Sequence, residues 1–142
     1  MRSLLDVNVL IALLDVDHTS HRSARAWFVE HADDGRASCP LTQNGCVRIM
    51  SHPRYTNAHS VSEIVLRLRA ATADRTHQFW PDSESLLDER LFDVRRIHGP
   101  RQLTDMYLLA LAVRNGGRLV TFGASIATGA VQGAKPKHLL QL

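Results

Sequence analysis

The composition is that of a soluble globular chain with room for one hydrophobic core. Of its 142 residues, 44% are hydrophobic and 22% are charged, which is typical of a folded domain. No apolar run approaches the roughly 20 residues that a membrane-spanning helix needs, and the N-terminus lacks the pattern of a secretory signal. We therefore predict a single domain over residues 1–142, located in the cytoplasm and without a membrane partner.

The charge is modestly positive and is carried almost wholly by arginine. The formal net charge is +3, and fifteen of the seventeen basic residues are arginines, the others being Lys135 and Lys137. From residue 36 to residue 75, six arginines stand against two acids, Glu63 and Asp74. The planar guanidinium group suits phosphate, so one interpretation is a surface that meets a polyanion. The alternative is a bias in genomic base composition, and charge alone does not separate the two.

In chain order, the first half of the sequence alternates short strands with longer helices. Ser3 to Leu5 predict a strand that ends at Asp6, and NVLIALL predicts a helix directly after it. A second helix is predicted from Thr19 to His31, where apolar residues recur at helical spacing. The strand RASC stops at Pro40, and we expect Thr42 to cap a helix that runs through QNGCVRIM.

The second half repeats this alternation after a basic loop, SHPRYTNAH. Ser60 and Glu63 form the pattern of a capping box before the helix IVLRLRAA. HQFW predicts a short strand, and we expect Asp82 or Ser83 to begin a helix through ESLLDERL. Thr104 is expected to cap the helix TDMYLLALAVRN, which ends before a glycine. The strand RLVTF and a last apolar segment, HLLQL, complete the chain.

Two aspartates stand at strand-to-helix junctions of this pattern. Strands that alternate with helices predict a parallel sheet between two helical layers, and such sheets bind ligands at the carboxyl ends of their strands. Asp6 follows the first strand, and Asp105 opens the late helix. Either acid alone also suits a helix N-terminus. Together they predict one acidic crevice, where a divalent cation such as Mg²⁺ relieves their repulsion.

The ordered set of motifs resembles a known family. LLDVNVLIALLD, DHTSHRSARAWF, CPLTQNGCVRIMSHPRY, HQFWPD and LTDMYLLALAVRNGGRLVTF are together similar to the PIN-domain ribonucleases, and in particular to the VapC toxins of mycobacterial type II toxin–antitoxin systems. The resemblance covers nearly the whole chain. It implies a three-layer α/β/α fold with a short parallel sheet. It also implies endoribonuclease activity that depends on Mg²⁺, with Mn²⁺ as a substitute, on structured RNA such as tRNA or rRNA. The implied partners are a small VapB antitoxin and a second copy of the chain.

The family gathers a set of acids at the strand ends, and this sequence matches only part of that set. Asp6 and Asp105 match positions that bind the metal and carry catalysis. Gln43 or Asn44 stands where relatives often have a glutamate, and Gly123 stands where their late strand is followed by an acid. The resemblance therefore implies a site that still holds one ion but is weakened.

Other polar residues are predicted to support this site. Neutral oxygens that orient bound water are expected from four residues: Asn8, Gln43, Thr121 and Ser125. Arg48 and Arg54 flank SHP and are candidates for contacts with RNA phosphate, although both also suit a solvated helix end. Asp82 follows the HQFW strand, and we assign it to the cap of the next helix rather than to the site.

Two other functions fit parts of the pattern. A phosphatase of the haloacid dehalogenase type also has an aspartate after its first strand. Here Asn8 replaces the second aspartate of its motif, and the only lysines lie at the far C-terminus, so the sequence disfavours it. The stronger rival is a PIN domain that binds antitoxin and RNA without cleaving RNA, because Gly123 replaces an acid.

Overall fold

Five short parallel strands form the centre of the fold. A computed structural model describes residues 1–142, the whole chain, and its strands are β1 (Ser3–Leu5), β2 (Arg36–Ser38), β3 (His77–Phe79), β4 (Arg118–Thr121) and β5 (Leu139–Gln141). Their order across the sheet is β3-β2-β1-β4-β5, and every neighbouring pair is parallel. The chain moves outward from β1 through β2 and β3 on one side and lies in β4 and β5 on the other. The carboxyl ends of β1 and β4 therefore form the topological switch point.

Helices cover both faces of this sheet. They are α1 (Val7–Leu14), α2 (His21–Glu30), α3 (Pro40–Met50), α4 (Val61–Thr72) and α5 (Leu103–Arg114). Leu4 packs in a core cluster with α5, whereas its neighbour Leu5 packs with Val9 of α1. Successive residues of a strand point to opposite faces, so the sheet is buried between two helical layers. The predicted three-layer α/β/α fold with a short parallel sheet is confirmed. None of the helices is both long enough and apolar enough to cross a membrane.

Close packing brings the start of α1 against the middle of α3 near the carboxyl edge of the sheet. The buried side chains that join α1, α3 and α4 are Ile11, Cys46, Met50, Ile64 and Leu68. A Cβ atom at Gly45 would lie 2.8 Å from Cγ2 of Val7. Glycine at this position therefore permits the approach of the two helices, which a larger residue would push apart.

The local signals of several elements are confirmed. The Ser60 hydroxyl accepts a hydrogen bond from the Glu63 amide at 3.2 Å, and the Glu63 carboxylate accepts one from the Ser60 amide at 2.9 Å. This reciprocal pair is the predicted capping box at the start of α4. After α5, Gly116 adopts a φ of 67°, the left-handed conformation in which glycine often follows a helix.

Two predicted caps are wrong. The helix α3 begins at Pro40 with Cys39 as its N-cap residue, so Thr42 is the third helical residue and not the cap. Proline is tolerated at the first helical position because no backbone donor is needed there. The Thr42 hydroxyl instead accepts a hydrogen bond from the Cys39 amide at 3.0 Å. In α5, which begins at Leu103, Thr104 likewise lies inside the helix, and Gln102 is its N-cap residue.

The predicted helix through ESLLDERL is also wrong, because this segment forms turns. The Ser85 hydroxyl accepts from the Leu87 amide and the Asp88 carboxylate accepts from the Arg90 amide, and such local bonds compete with a helix. Leu87 is 89% exposed, so the apolar spacing does not mark a buried helical face. Asp82 consequently has no following helix to cap. Its carboxylate accepts from the Leu41 amide at 3.0 Å, in the first turn of α3.

Candidate active site

A crevice of about 680 Å³ opens at the switch point between β1 and β4. Its polar lining comes from the starts of α1 and α5, from the middle and end of α3 and from the segment after β3, and consists of Asp6, Asn8, Asn44, Arg48, Asp82, Thr104 and Asp105. The two aspartates predicted from the sequence, Asp6 and Asp105, therefore meet at one place. They lie at the carboxyl edge, where the ligand-binding rule for parallel sheets directed the search, and their role in binding or catalysis stays a prediction.

Asp6 is both the N-cap of α1 and a wall of the crevice. It is only 6% exposed. One carboxylate oxygen accepts a hydrogen bond from the Val7 amide at 2.6 Å, and the other accepts one from the Thr121 hydroxyl at 2.7 Å. Burial raises the pKa of Asp6 above its ordinary value, and the two hydrogen bonds offset part of this shift. Asp6 can therefore be the N-cap of α1 and also face a cation in the crevice.

Thr121 links Asp6 to the loop that follows β4. Its fully buried hydroxyl donates to Asp6 and accepts from the Gly123 amide at 2.9 Å. The hydroxyl group is therefore fixed by partners on both sides, and it holds the Asp6 carboxylate in one orientation. Thr121 thus contacts Asp6 directly, and its supporting role stays a prediction.

Asp105 differs from Asp6 in that no hydrogen bond offsets the burial of its carboxylate. It is half-buried, and the pKa of its carboxyl is raised first by burial and then by the nearby charge of Asp6. No hydrogen-bond donor lowers that pKa. This pair of buried carboxylates favours a bound cation, because a cation offsets the burial that raises both pKa values and the repulsion that raises that of Asp105.

Gly123 stands beside this pair. A Cβ atom built on it would lie 3.7 Å from the nearer Asp105 oxygen and 3.3 Å from the Thr121 hydroxyl, and its φ lies outside the left-handed region. Neither backbone conformation nor space therefore demands glycine, although the Thr121 contact is tight. No group of three His, Cys, Asp or Glu side chains is placed to hold a metal ion together. Asp82 lines the same crevice but does not complete a group of three metal ligands with Asp6 and Asp105.

Of the remaining predicted residues, some line the crevice and others lie outside it. Asn8 is exposed and lines the crevice, whereas Gln43 lies outside it and donates to the Ser38 hydroxyl at 2.9 Å. Its neighbour Asn44 occupies the crevice wall instead. Ser125 is exposed and outside the lining, and its carbonyl accepts from the Gln102 side chain at 3.5 Å.

The two candidate arginines also differ in position. Arg48 lines the crevice from α3 and forms none of the ion pairs of the fold. Arg54 is exposed on the loop after α3 and does not line the crevice. Arg48 is therefore the arginine that is placed to meet an anion at the acidic pair.

Asp82 is the crevice residue whose position the sequence analysis missed. It lies on the wall formed by the segment after β3, with one oxygen bonded to the Leu41 amide. The signal was present, because Asp82 follows a parallel strand just as Asp6 does. Because a helix was expected directly after Asp82, the sequence predicted a helix cap at this residue and not a crevice residue.

The fold and the crevice define a class of protein, the α/β/α domains that gather carboxylates at the carboxyl edge of a short parallel sheet. The model of the family described as PIN domain matches residues 3–130. The chain therefore belongs to the PIN-domain family.

Similarity to individual proteins extends over nearly the full chain. This chain is 53% identical to Ribonuclease VapC44 of Mycobacterium tuberculosis over 142 residues, which is 100% of both chains. Ribonuclease VapC38 of the same species is 43% identical over 99% of this chain and 96% of its own length. Ribonuclease VapC39 of the same species is 41% identical over 94% of this chain and 96% of its own length. The predicted resemblance to the VapC proteins of mycobacteria is confirmed.

Proposed function

We propose that this chain is a metal-dependent endoribonuclease, the toxin of a VapBC toxin–antitoxin pair, which cleaves structured RNA such as tRNA or rRNA. The observation that carries the proposal is the convergence of Asp6 and Asp105 in one crevice, with the pKa of each carboxyl raised above its ordinary value. Similarity over the whole chain to proteins named ribonucleases supports it.

Asp6 and Asp105 are the residues that would hold Mg²⁺ or Mn²⁺. Their carboxylate oxygens are hard ligands, and Mg²⁺ usually needs only one or two protein carboxylates, with water and substrate phosphate completing its coordination. Asp105 also has no competing hydrogen bond. The donor set thus fits one ion. When bound, such an ion lowers the pKa of water and neutralises charge that develops on phosphate.

The other crevice residues bind and orient. Thr121 and the Val7 amide keep the Asp6 carboxylate in place. Arg48, which has no acidic partner in the fold, attracts the RNA phosphate. The exposed amides of Asn8 and Asn44 can donate to phosphate or ribose oxygens and orient water beside the acids. This assignment leaves Gln43, Ser125 and Arg54 without a direct part in the crevice.

A second function is favoured by Gly123 and by the missing third acid. A PIN domain with only two carboxylates in reach of one ion has weak anionic support for metal. Such a domain would bind RNA and antitoxin without cleaving RNA. We place slow catalysis first because the pair Asp6 and Asp105 retains the arrangement that a cation needs.

Cleavage of a labelled tRNA by the purified chain tests the proposal. We expect slow cleavage in Mn²⁺ and Mg²⁺ that EDTA stops and that Asp6→Asn abolishes. Asp88→Asn is the matched control, because Asp88 is a surface acid paired with Arg90 outside the crevice, and it should cleave like the parent chain. RNA binding that persists in EDTA, with no cleavage in either metal, would establish the non-catalytic function instead.

The proposal includes a VapB-type antitoxin and a homodimer, which rest on membership of the VapC group. Coexpression with the cognate antitoxin should yield a stable complex that suppresses cleavage. Light scattering on the chain alone should give twice the 15.9 kDa mass of one copy. A monomer across the tested concentration range would contradict the dimer without affecting the assignment of the site.

A further inference from the structure

We propose that bound RNA leaves the crevice across the face formed by α3 and α4, where Arg69 contacts the phosphate backbone. The inference rests on the proposed function, because it extends the path of the same substrate. Three features support it: a groove that continues the crevice, an unpaired arginine in that groove with further unpaired arginines on α3, α4 and the loop between them, and paired arginines on the other side of the fold.

The groove between α3 and α4 is continuous with the crevice. It has a volume of about 300 Å³, and its lining includes Val47 of α3 and Val65 and Arg69 of α4. Asn44 lines both the groove and the crevice, while Arg48, one helical turn further along α3, lines the crevice. A strand bound at Arg48 therefore enters the groove by passing Asn44.

The α3–α4 region offers free positive charge. Its arginines are absent from the ion pairs of the fold and are exposed; they are Arg48, Arg54, Arg67 and Arg69. The one acid between Pro40 and Thr72 is Glu63, which is engaged with the Ser60 amide and with His59. Unpaired guanidinium groups are available for phosphate and would release counterions on binding it.

The arginines beyond β3 have a different environment. Arg90, Arg95, Arg96, Arg114 and Arg118 each pair with an aspartate or glutamate, and Arg101 is the exception, exposed and in no ion pair. Arg90 also borders a cavity at the C-terminal end of α5, the end opposite to Asp105. Apart from Arg101, their charge is locally balanced, whereas the groove that continues the crevice over α3 and α4 holds an unpaired arginine.

RNA fits this surface better than an acidic peptide does. The groove is open, its lining combines four polar residues, including the exposed Arg69, with three apolar ones, and none of these residues is acidic, which suits a sugar–phosphate strand. A peptide partner would need apolar side chains buried along the groove for comparable affinity. Binding of a partner protein instead of RNA is therefore the competing outcome of the test.

The test measures RNA binding apart from cleavage. In the Asp6→Asn background, anisotropy of a short fluorescein-labelled single-stranded RNA is followed over a range of salt concentrations. The variants are Arg69→Gln, Arg69→Lys and Arg90→Gln, and the last removes the same charge from a site remote from the crevice. Arg69 is exposed and forms no ion pair, and Arg90 pairs with Asp88 only at the surface, so we expect all variants to melt like the parent.

We expect Arg69→Gln to weaken binding roughly threefold to tenfold and to reduce the slope of log affinity against log salt by about 0.7, the value for one phosphate contact of a single strand. Arg69→Lys should keep the slope, and Arg90→Gln should match the parent. Equal effects of Arg69→Gln and Arg90→Gln, or none at Arg69, would overturn the path.

The failures of the path and of the proposed function are distinguishable. If the unmodified chain cleaves RNA in Mn²⁺ and Arg69→Gln still binds normally, only the path is wrong. If Arg69→Gln weakens the antitoxin complex but leaves RNA binding intact, the groove belongs to the protein partner and the path is also wrong. If the parent binds no RNA at all, both proposals fail.

Discussion

Asp105 carries its charge in the crevice without a hydrogen-bond donor. Burial and the charge of Asp6 raise its pKa, so the folded state holds the proton more strongly than the unfolded state does. For an acid with a raised pKa, stability falls as pH rises from the ordinary value of 3.8 through the raised value, and the loss is complete above it. At neutral pH the metal-free fold is therefore strained at this residue.

We predict that Asp105→Asn stabilises the metal-free protein. Thermal melting in EDTA at neutral pH should shift upward by about 3 °C, which corresponds to roughly 1 kcal/mol in a domain of this size. The same variant should lose the stabilisation that Mn²⁺ gives the parent. Asp88→Asn serves as the control and should not be stabilised, because Arg90 lowers the pKa of Asp88. A melting temperature that falls in Asp105→Asn would contradict the repulsion argument.

Gly123 is the residue at which an acid can be restored. Its Cβ direction has space, and the Asp105 oxygen lies 3.7 Å from the Cβ position. We predict that Gly123→Asp tightens Mn²⁺ binding by about tenfold through the added ligand charge, and that RNA cleavage rises with it. Calorimetric titration and the cleavage assay measure the two effects. Gly123→Asn is the control of similar shape without the charge. If Gly123→Asp raises RNA cleavage no more than Gly123→Asn does, position 123 does not limit activity.

At the scale of elements, the crevice depends on how closely α1 and α3 approach. Asp6 and Asn8 stand at the start of α1, and Asn44 and Arg48 lie on α3, so the spacing of these helices sets the spacing of the crevice walls. The contact that controls the spacing is Gly45 against Val7.

We predict that Gly45→Ala destabilises the fold by about 1–3 kcal/mol, because its Cβ would lie 2.8 Å from a Val7 methyl and the helices must separate. Urea unfolding gives the free energy, and RNA cleavage should decline with it. Val7→Ala in the same chain removes the clash, and the double variant should recover part of the stability. Additive losses in the double variant would mean that this contact does not determine the packing.

At the scale of the whole molecule, a second buried group links stability to pH with the opposite sign. His138 is buried before β5, and its Nδ1 accepts from the Lys135 amide at 3.0 Å. Burial, together with Lys137 and Lys135, lowers its pKa below 6.5. The unfolded chain then binds the proton more readily, so stability is lost as pH falls below 6.5 toward the lowered value.

We predict that the parent chain loses more stability than His138→Gln on acidification from about pH 8 to pH 5.5. Urea midpoints at both pH values give the comparison. The carboxyls of Asp6 and Asp105 are common to both chains, so their opposite contribution cancels in the difference. Equal losses in the two chains would show that His138 does not titrate in this range.

The sequence by itself determined the alternation of strands and helices, the capping box at Ser60, and the two acids at strand ends. Apolar periodicity, capping residues and glycine after a helix are local signals, so they can be recognised without knowing what packs against them. The order of parallel strands then follows a small set of rules, which placed Asp6 and Asp105 at one edge.

Tertiary structure decided the contacts that join distant segments. Gln43 and Asn44 differ by about 100° around a helix, and only the packing of α3 against α1 places Asn44 in the crevice and Gln43 outside it. The bond from Thr121 to Asp6 spans 115 residues. The Asp82 carboxylate accepts from the Leu41 amide, 41 residues away in the sequence. These outcomes depend on which side chains meet across the fold, and local pattern carries no record of that.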